Sequence, residues 1–287
     1  MHLFFSLLLS CKTVSFTPII ADTTNMVLIS SSQQNSPNQA ITFLMGYPDT
    51  EPGPYGNHWK ETAQPQHEVS LSPFYIDKTE VTVDDYVDML NDLKDNPVAL
   101  KRLLHPLMPI TQDLENNLFS VQDGYEQHPM NYISWYESMV YCSHIGKRLP
   151  TEAEWEVTAK GDDIENPRAV PWEGGGWSCQ KAVYYTNETL CEKRPTIVGS
   201  HPLGNTPQDV SDLGGNVSEW VYDWFDYYPA ESQNNPIGPS EGSYKIVRGG
   251  GFRDSSDALR TTDRVAVNPK TRSEGIGFRC ALSYNSQ

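Results

Sequence analysis

The chemistry this chain could do is concentrated in two stretches. The first, YKIVRGGGFRDSSDALRTTDR from Tyr244 to Arg264, has three glycines after an apolar strand-like run, then a polar loop carrying Asp254 and Asp257 and an arginine-rich end. Consecutive glycines let something come close to the backbone. Yet the loop has no His, no Cys and no strong nucleophile. Its carboxylates are hard oxygen donors, suited to calcium, magnesium or hydrogen bonds rather than to a soft metal. The second stretch, SDLGGNVSEW from Ser211 to Trp220, sets Asp212 and Glu219 around a glycine-rich turn, which the two acids at the least brace. The aromatic run WVYDWFDYY from Trp220 to Tyr228 could stack a sugar or a peptide, although tryptophans of this kind more often fill a core. The seven His form no triad with Ser or Cys. With no CxxC or HxxxH spacing anywhere, a zinc site is not expected.

Elements must hold these stretches in place, and hydrophobic periodicity locates several. HEVSLSPFYIDKTEVT alternates apolar and polar residues at Val69 and Leu71 and again at Phe74 and Ile76, the period of a half-buried strand. Thr82 then caps a helix with Val83, Tyr86, Val87 and Leu90 on one face. From Asn91 to His128 no period is clear and Pro97, Pro106 and Pro109 intervene, which predicts a short helix and a long loop. Ser134 with Glu137 and Thr151 with Glu154 are capping boxes for two further helices, ended by Gly146 and Gly161. Beyond Gly161 the chain is rich in Gly, Pro, Asn, Asp and Trp around short strand-like runs, irregular structure that a parallel α/β sheet would not give. There is no solenoid or propeller repeat.

A chain of 287 residues can bury a sizeable core as one large domain or two small ones. With 37 acidic and 21 basic residues its formal charge is −16, which repels nucleic acid and anionic membrane. Residues Leu3 to Leu9 have the size of a signal-peptide apolar region, too short to span a bilayer. LLSC, ending at Cys11, resembles a bacterial lipobox, which makes Cys11 a candidate lipidation site and the only route to a membrane. Against it, His2 is the only residue before the apolar run that could carry a positive charge, and cleavage after Ala21 is the alternative. Export, to a periplasm, an outer membrane as a lipoprotein, or the extracellular space, is the expectation. Once Cys11 is set aside, Cys142, Cys179, Cys191 and Cys280 remain, an even number that suggests two disulfides with three possible pairings. The local pairing, Cys179 with Cys191, would leave Cys142 with Cys280. The organisation expected is a leader over 1–21, a linker or loose lead-in strand over 22–40, and a globular domain over 41–284.

The motifs HEVSLSPFYIDKTEVTVDDY, GKRLPTEAEWEVTAKG, LGGNVSEWVYDWF, IVRGGGF and GIGFRCAL occur in the order and at roughly the spacing of the sulfatase-modifying-factor, or formylglycine-generating-enzyme, family. Five motifs in order are a specific signal, and the resemblance covers about residues 41–284. It implies an α+β, complex C-type-lectin-like fold, low in regular secondary structure, with two to three short helices. Active members oxidise a Cys in a sulfatase-type peptide to formylglycine, using copper held by two thiolates in the loop after RGG. In this sequence that loop has no Cys, for none occurs between Cys191 and Cys280, and the usual Ser after RGG is Gly251. Copper(I) needs soft sulfur ligands, so copper is not expected here and no catalytic residue is assigned.

The same resemblance implies further site residues. It places Arg253, Asp254, Asp257, Arg260 and Arg264 where active relatives hold their peptide, making them the candidate groove for an exported peptide, protein or small molecule. It implies a structural calcium ion held by Asp212, the carbonyls of Gly215 and Val217, and Glu219, in keeping with calcium's preference for about six to eight hard oxygens. The family's second calcium site is not carried over. Cys142 and Cys280 match the positions of a family disulfide. Glu80, Arg148, Arg248 and Arg279 lie in family motifs but are read as braces that satisfy buried backbone. The reading favoured by the sequence is an exported binding or scaffold module that has lost the copper thiolates. An enzyme of different chemistry using the same groove is the alternative, and a formylglycine-generating oxidase would need a thiol pair that is missing.

Overall fold

The computed structural model describes residues 21–32, 38–48, 62–186 and 188–284. Most strands are short and fall into four small sheets. In the first, β1 (Met26–Ile29) and β12 (Ala281–Ser283) flank β4 (Phe74–Asp77), both antiparallel to it. The 22–40 stretch therefore supplies a strand of the fold, and the folded unit reaches further toward the N-terminus than Ile41. In the second, β2 (Ile41–Met45) pairs antiparallel with β3 (His67–Leu71), which takes β8 (Gln233–Asn234) on its other side. Alternate residues of β2 and β3, from Ile41, Phe43 and Met45 to His67, Val69 and Leu71, are buried, so the period-two pattern has its expected physical meaning.

The third sheet positions the candidate site. Its order is β10 (Arg264–Val267), β9 (Lys245–Arg248), β7 (Ser218–Trp224), β11 (Ile276–Phe278), antiparallel except for the β7·β11 pair. Two hydrophobic clusters pack around it: one holds Trp220 and Phe278 with Tyr86 and Tyr141, the other Trp155 and Val221 with Phe43 and Phe74.

Four helices lie among the described residues, one more than the upper expectation. α1 (Val83–Asp92) starts at a capping box in which Asp85 N–H donates to the Thr82 hydroxyl and Thr82 N–H to the Asp85 carboxylate. α2 (Pro97–Leu103) uses Pro97 in its first turn, where a missing N–H costs nothing. α3 (Trp135–His144) begins with Ser134 N–H donating to Glu137 at 2.7 Å, and α4 (Glu152–Lys160) with the same contact from Thr151 to Glu154 at 2.8 Å. The expected long loop before His128 contains a hairpin, β5 (Ile110–Asp113) and β6 (Leu118–Val121). It turns on Asp113, whose carboxylate accepts from the N–H of Glu115 and of Asn116.

Helix α4 is buried on every side although it carries Glu152, Glu154, Glu156 and Lys160. Arg248, fully buried on β9, donates to Glu152 at 3.0 Å, to Glu156 at 2.8 Å and to the Thr261 carbonyl. Lys160 reaches Glu156 at 3.0 Å and the carbonyls of Leu44 and Gly46. Breaking such a buried pair costs about 3–5 kcal/mol because the surviving charge is stranded, so Arg248 holds the helix to the sheet. Arg279 does the same for Glu219, donating to both its oxygens at 2.7 Å, and Arg148 pairs with Glu154. The two disulfides are Cys142–Cys280 and Cys179–Cys191, separated by 138 and 12 residues in sequence. By chain entropy the long-range one contributes about 5 kcal/mol.

Candidate functional site

The glycines after β9 line a cleft and also meet the protein's own chain. Gly249 and Gly250 have φ of +89° and +66°, in the left-handed region that glycine tolerates. A Cβ on Gly249 would lie 2.9 Å from the Leu213 carbonyl, and one on Gly251 2.9 Å from that of Gly275. The protein's own chain thus comes close to one side of this backbone, and the three glycines knit the loop to the sheet. Beyond them Ser256–Leu259 forms a single 3-10 turn. Leu259 and Ala258 pack into a satellite cluster with Trp172, Tyr184 and Cys191. The Tyr185 N–H donates to the Asp254 carbonyl at 2.8 Å, so the short disulfide loop and the 254–259 segment brace each other.

Between this loop, β10 and the 273–276 turn lies a cleft of about 430 Å³. Of the five expected groove residues, Arg253 and Asp254 line it. Arg253 is exposed and pairs with Glu274 at 3.0 Å, while the Asp254 carboxylate accepts from the Gly251 N–H at 2.8 Å. Asp257 and Arg260 form an ion pair with each other and are not part of the lining. Arg264 is not a groove residue: it is buried, donates to both oxygens of Glu152 and to the carbonyls of Thr62 and Asp226, and lies over the Tyr228 ring. As the first residue of β10 its side chain faces α4, the strand's inward side.

Two acids in the lining, Asp263 and Glu274, escaped the sequence reading. Burial pushes the Asp263 carboxyl up to about 7; Arg248 and Arg260 oppose this, and the charges of Asp254 and Asp257 add to it. The only sequence signal was the position of Asp263 immediately before the strand arginine.

The donor set of the cleft does not fit copper(I). Its side chains offer carboxylate oxygens, one guanidinium and two serine hydroxyls, while Cys142, Cys179, Cys191 and Cys280 are all consumed in disulfides. The Asp212–Glu219 turn has a different character. Asp212 and Asn216 take left-handed φ of +59° and +61°, which short polar side chains tolerate. The Asp212 carboxylate accepts from Gly199 N–H, and Glu219 is held by Arg279 and by the Trp155 indole at 2.9 Å. Beside them Glu80, 1% exposed, uses one carboxylate oxygen on the Asn216 amide, while the other has no partner. Burial first, and then the charge of Asp212, drives the Glu80 carboxyl well above its ordinary range. An orphaned, buried carboxylate oxygen is what a bound cation would relieve, and oxygen donors of this kind are compatible with calcium. No three His, Cys, Asp or Glu side chains converge as a metal-ligating group among the described residues, so backbone carbonyls would have to complete the shell. Cys11 lies outside the described residues.

The aromatic run packs inward for the most part. Trp220 is fully buried and donates to the Ile133 carbonyl, and Trp224 and Trp135 sandwich the Lys245 ammonium, each ring centroid 3.9 Å away.

Comparison with known proteins gives a consistent answer. Residues 27–284 match the family described as the sulfatase-modifying factor enzyme 1-like domain. The chain is 32% identical over 235 residues to a protein named serine/threonine-protein kinase pkn1 from Chlamydia pneumoniae, covering 77% of this chain and 35% of that one. It is 33% identical over 180 residues to the formylglycine-generating enzyme of Streptomyces coelicolor, covering 55% of this chain and 54% of the enzyme. It thus spans about a third to a half of the length of these relatives. Among solved structures, Treponema denticola variable protein 1 matches with TM-score 0.62 at 21% identity, covering 90% of this chain and 95% of the other. PvdO from Pseudomonas aeruginosa matches with TM-score 0.61 at 23% identity, covering 90% and 94%. At these identities the structural matches speak to the fold, a mixed α/β, C-type-lectin-like one. By its five ordered motifs, its architecture and the match over 27–284, the chain belongs to the sulfatase-modifying factor family, that of the formylglycine-generating enzymes.

Proposed function

We propose that the protein is an exported binding or scaffold module in which the family's cleft holds a ligand without oxidising it. What supports this reading is the donor chemistry of the cleft: its lining offers carboxylates and no thiol, and four of the five cysteines are locked in disulfides. The disulfides also support export, since such bonds persist in oxidising compartments. No helix among the described residues is long and apolar enough to cross a membrane, and a lipid on Cys11 is the proposed attachment. Calcium at Asp212, Gly215, Val217 and Glu219 is proposed as a structural ion.

With Asp254, Asp263 and Glu274 in the cleft lining against Arg253 alone, the ligand this cleft suits is an extended peptide with a basic residue. Selection of a displayed random-peptide library on the protein should enrich Lys- or Arg-bearing sequences that lose at least about tenfold in affinity on the Asp263→Ala variant, the cost of one charge-assisted contact. Enriched peptides that bind this variant as tightly would place the ligand elsewhere. A second reading, an enzyme of another chemistry on an exported peptide or small molecule, has one observation in its favour: a carboxyl titrating near pH 7 in a cleft is suited to general acid–base work. Turnover of any selected peptide, followed by mass, separates the two. The kinase-named relatives share 35% of their length with this chain, and their activity is not carried over.

A further inference from the structure

A second pocket, of about 310 Å³, shares Glu274 with the cleft as a lining residue. We propose that it is a distinct ligand site that takes a carboxylate carried on a short apolar stem. Its walls divide by chemistry. Pro106, Leu107, Met108 and Pro129 form an apolar side, and Leu107 is 60% exposed. Arg194, Tyr125 and His128 form a polar end.

The polar end is built, and it is incomplete. Arg194 is exposed, lies over the Tyr125 ring at 5.1 Å and donates to the Tyr125 hydroxyl at 2.8 Å. That leaves most of the guanidinium's N–H groups, and the Tyr125 hydroxyl proton, free for an acceptor. The His128 ring is buried at 9% exposure, and its Nδ1 has no hydrogen-bond partner. Burial and the neighbouring Arg194 charge hold this imidazole below its ordinary pKa, with Glu126 opposing, so it is neutral at pH 7 and can present one N–H.

The pocket's shape is fixed by an unusual backbone. Tyr132, an aromatic residue, has φ of +52°, a conformation that costs free energy for a bulky side chain. It is held by Tyr132 N–H donating to the Ser273 carbonyl at 2.9 Å, and its ring stacks on His105, which faces the same loop. The Glu274 carboxylate, the acid in the pocket wall, is neutralised by Arg253 at 3.0 Å, and the Asn131 amide ties the Glu274 carbonyl down. The remaining charge in the lining is the Arg194 cation. Planar guanidinium with convergent O–H and N–H donors is the recognition chemistry of a carboxylate, and the proline, leucine and methionine wall fits the aliphatic part of the same ligand. A side-chain carboxylate and a chain-terminal one share this chemistry. The assignment does not depend on what the cleft binds.

The test uses full-length protein labelled with 13C at its methionine methyls, with the Met108 signal assigned through Met108→Leu. N-acetyl-glutamic acid α-amide, its glutamine isostere and N-acetyl-leucine are titrated in turn. A saturable Met108 shift with a dissociation constant on the order of millimolar is expected for at least one of the two carboxylates. Response to the glutamic acid derivative assigns a side-chain source and response to N-acetyl-leucine a terminal one. The glutamine isostere should leave the signal unmoved. Arg194→Gln, at an exposed position, should abolish the shift, and Asp254→Asn in the cleft should leave it intact. The proposal is overturned by no saturable shift with either carboxylate, by an equal response to the glutamine isostere, or by a response that survives Arg194→Gln.

Discussion

Asp263 and Asp223 show how burial sets the character of a carboxyl in this fold. Asp223, on β7, is 5% exposed and accepts from the Glu152 N–H at 2.8 Å. Burial, and then the charge of Glu152, pushes its carboxyl up to about 8. Because the folded state holds this proton more tightly than the unfolded chain, the associated stability is fully present below the unfolded pKa near 4 and is lost as pH rises through about 8. Asp223→Asn keeps an acceptor for the Glu152 amide and removes the titration. Urea unfolding at pH 5 and pH 8 should show a wild-type loss that exceeds the variant's by an amount on the order of a few kcal/mol. Equal losses in the two proteins would mean that Asp223 is ionised in the fold at neutral pH.

At the scale of elements, the sequence is legible wherever a local rule suffices. Thr82, Ser134 and Thr151 start helices where their capping boxes place them, because a cap is satisfied within one turn. The alternation at Val69 and Leu71 gives a strand for the same reason. The β5–β6 hairpin was invisible: its residues are mostly exposed and carry no apolar alternation, and the pairing rests on a turn around Asp113. The glycines after β9 were read from their permissiveness, but their neighbours are Leu213, Ala258 and Gly275, which only the tertiary fold brings there. Arg264 misled for a related reason. A charged residue beside a polar loop looks exposed until its partner, Glu152, is found 112 positions away. Asp263 and the orphaned Glu80 oxygen stand on similar long-range arrangements, so the chemistry of the cleft and of the proposed calcium site was only half visible.

The whole molecule is a set of small sheets held together by buried ion pairs and two disulfides. A calcium ion at the Asp212–Glu219 turn would add to that framework by ligand linkage, worth about 3–4 kcal/mol at a hundred to a thousand times its dissociation constant. Removing it with a chelator should lower the melting temperature by several degrees, and restored calcium should return it; an unchanged melting curve would count against the ion. The cleft itself is lined by carboxylates and by no thiol. The most direct test incubates the protein with a sulfatase-type cysteine peptide, copper and oxygen, beside an active formylglycine-generating enzyme, and follows the peptide by mass spectrometry. The account predicts that the cysteine persists with this protein while the active enzyme converts it. Copper-dependent conversion to formylglycine by this protein would contradict it.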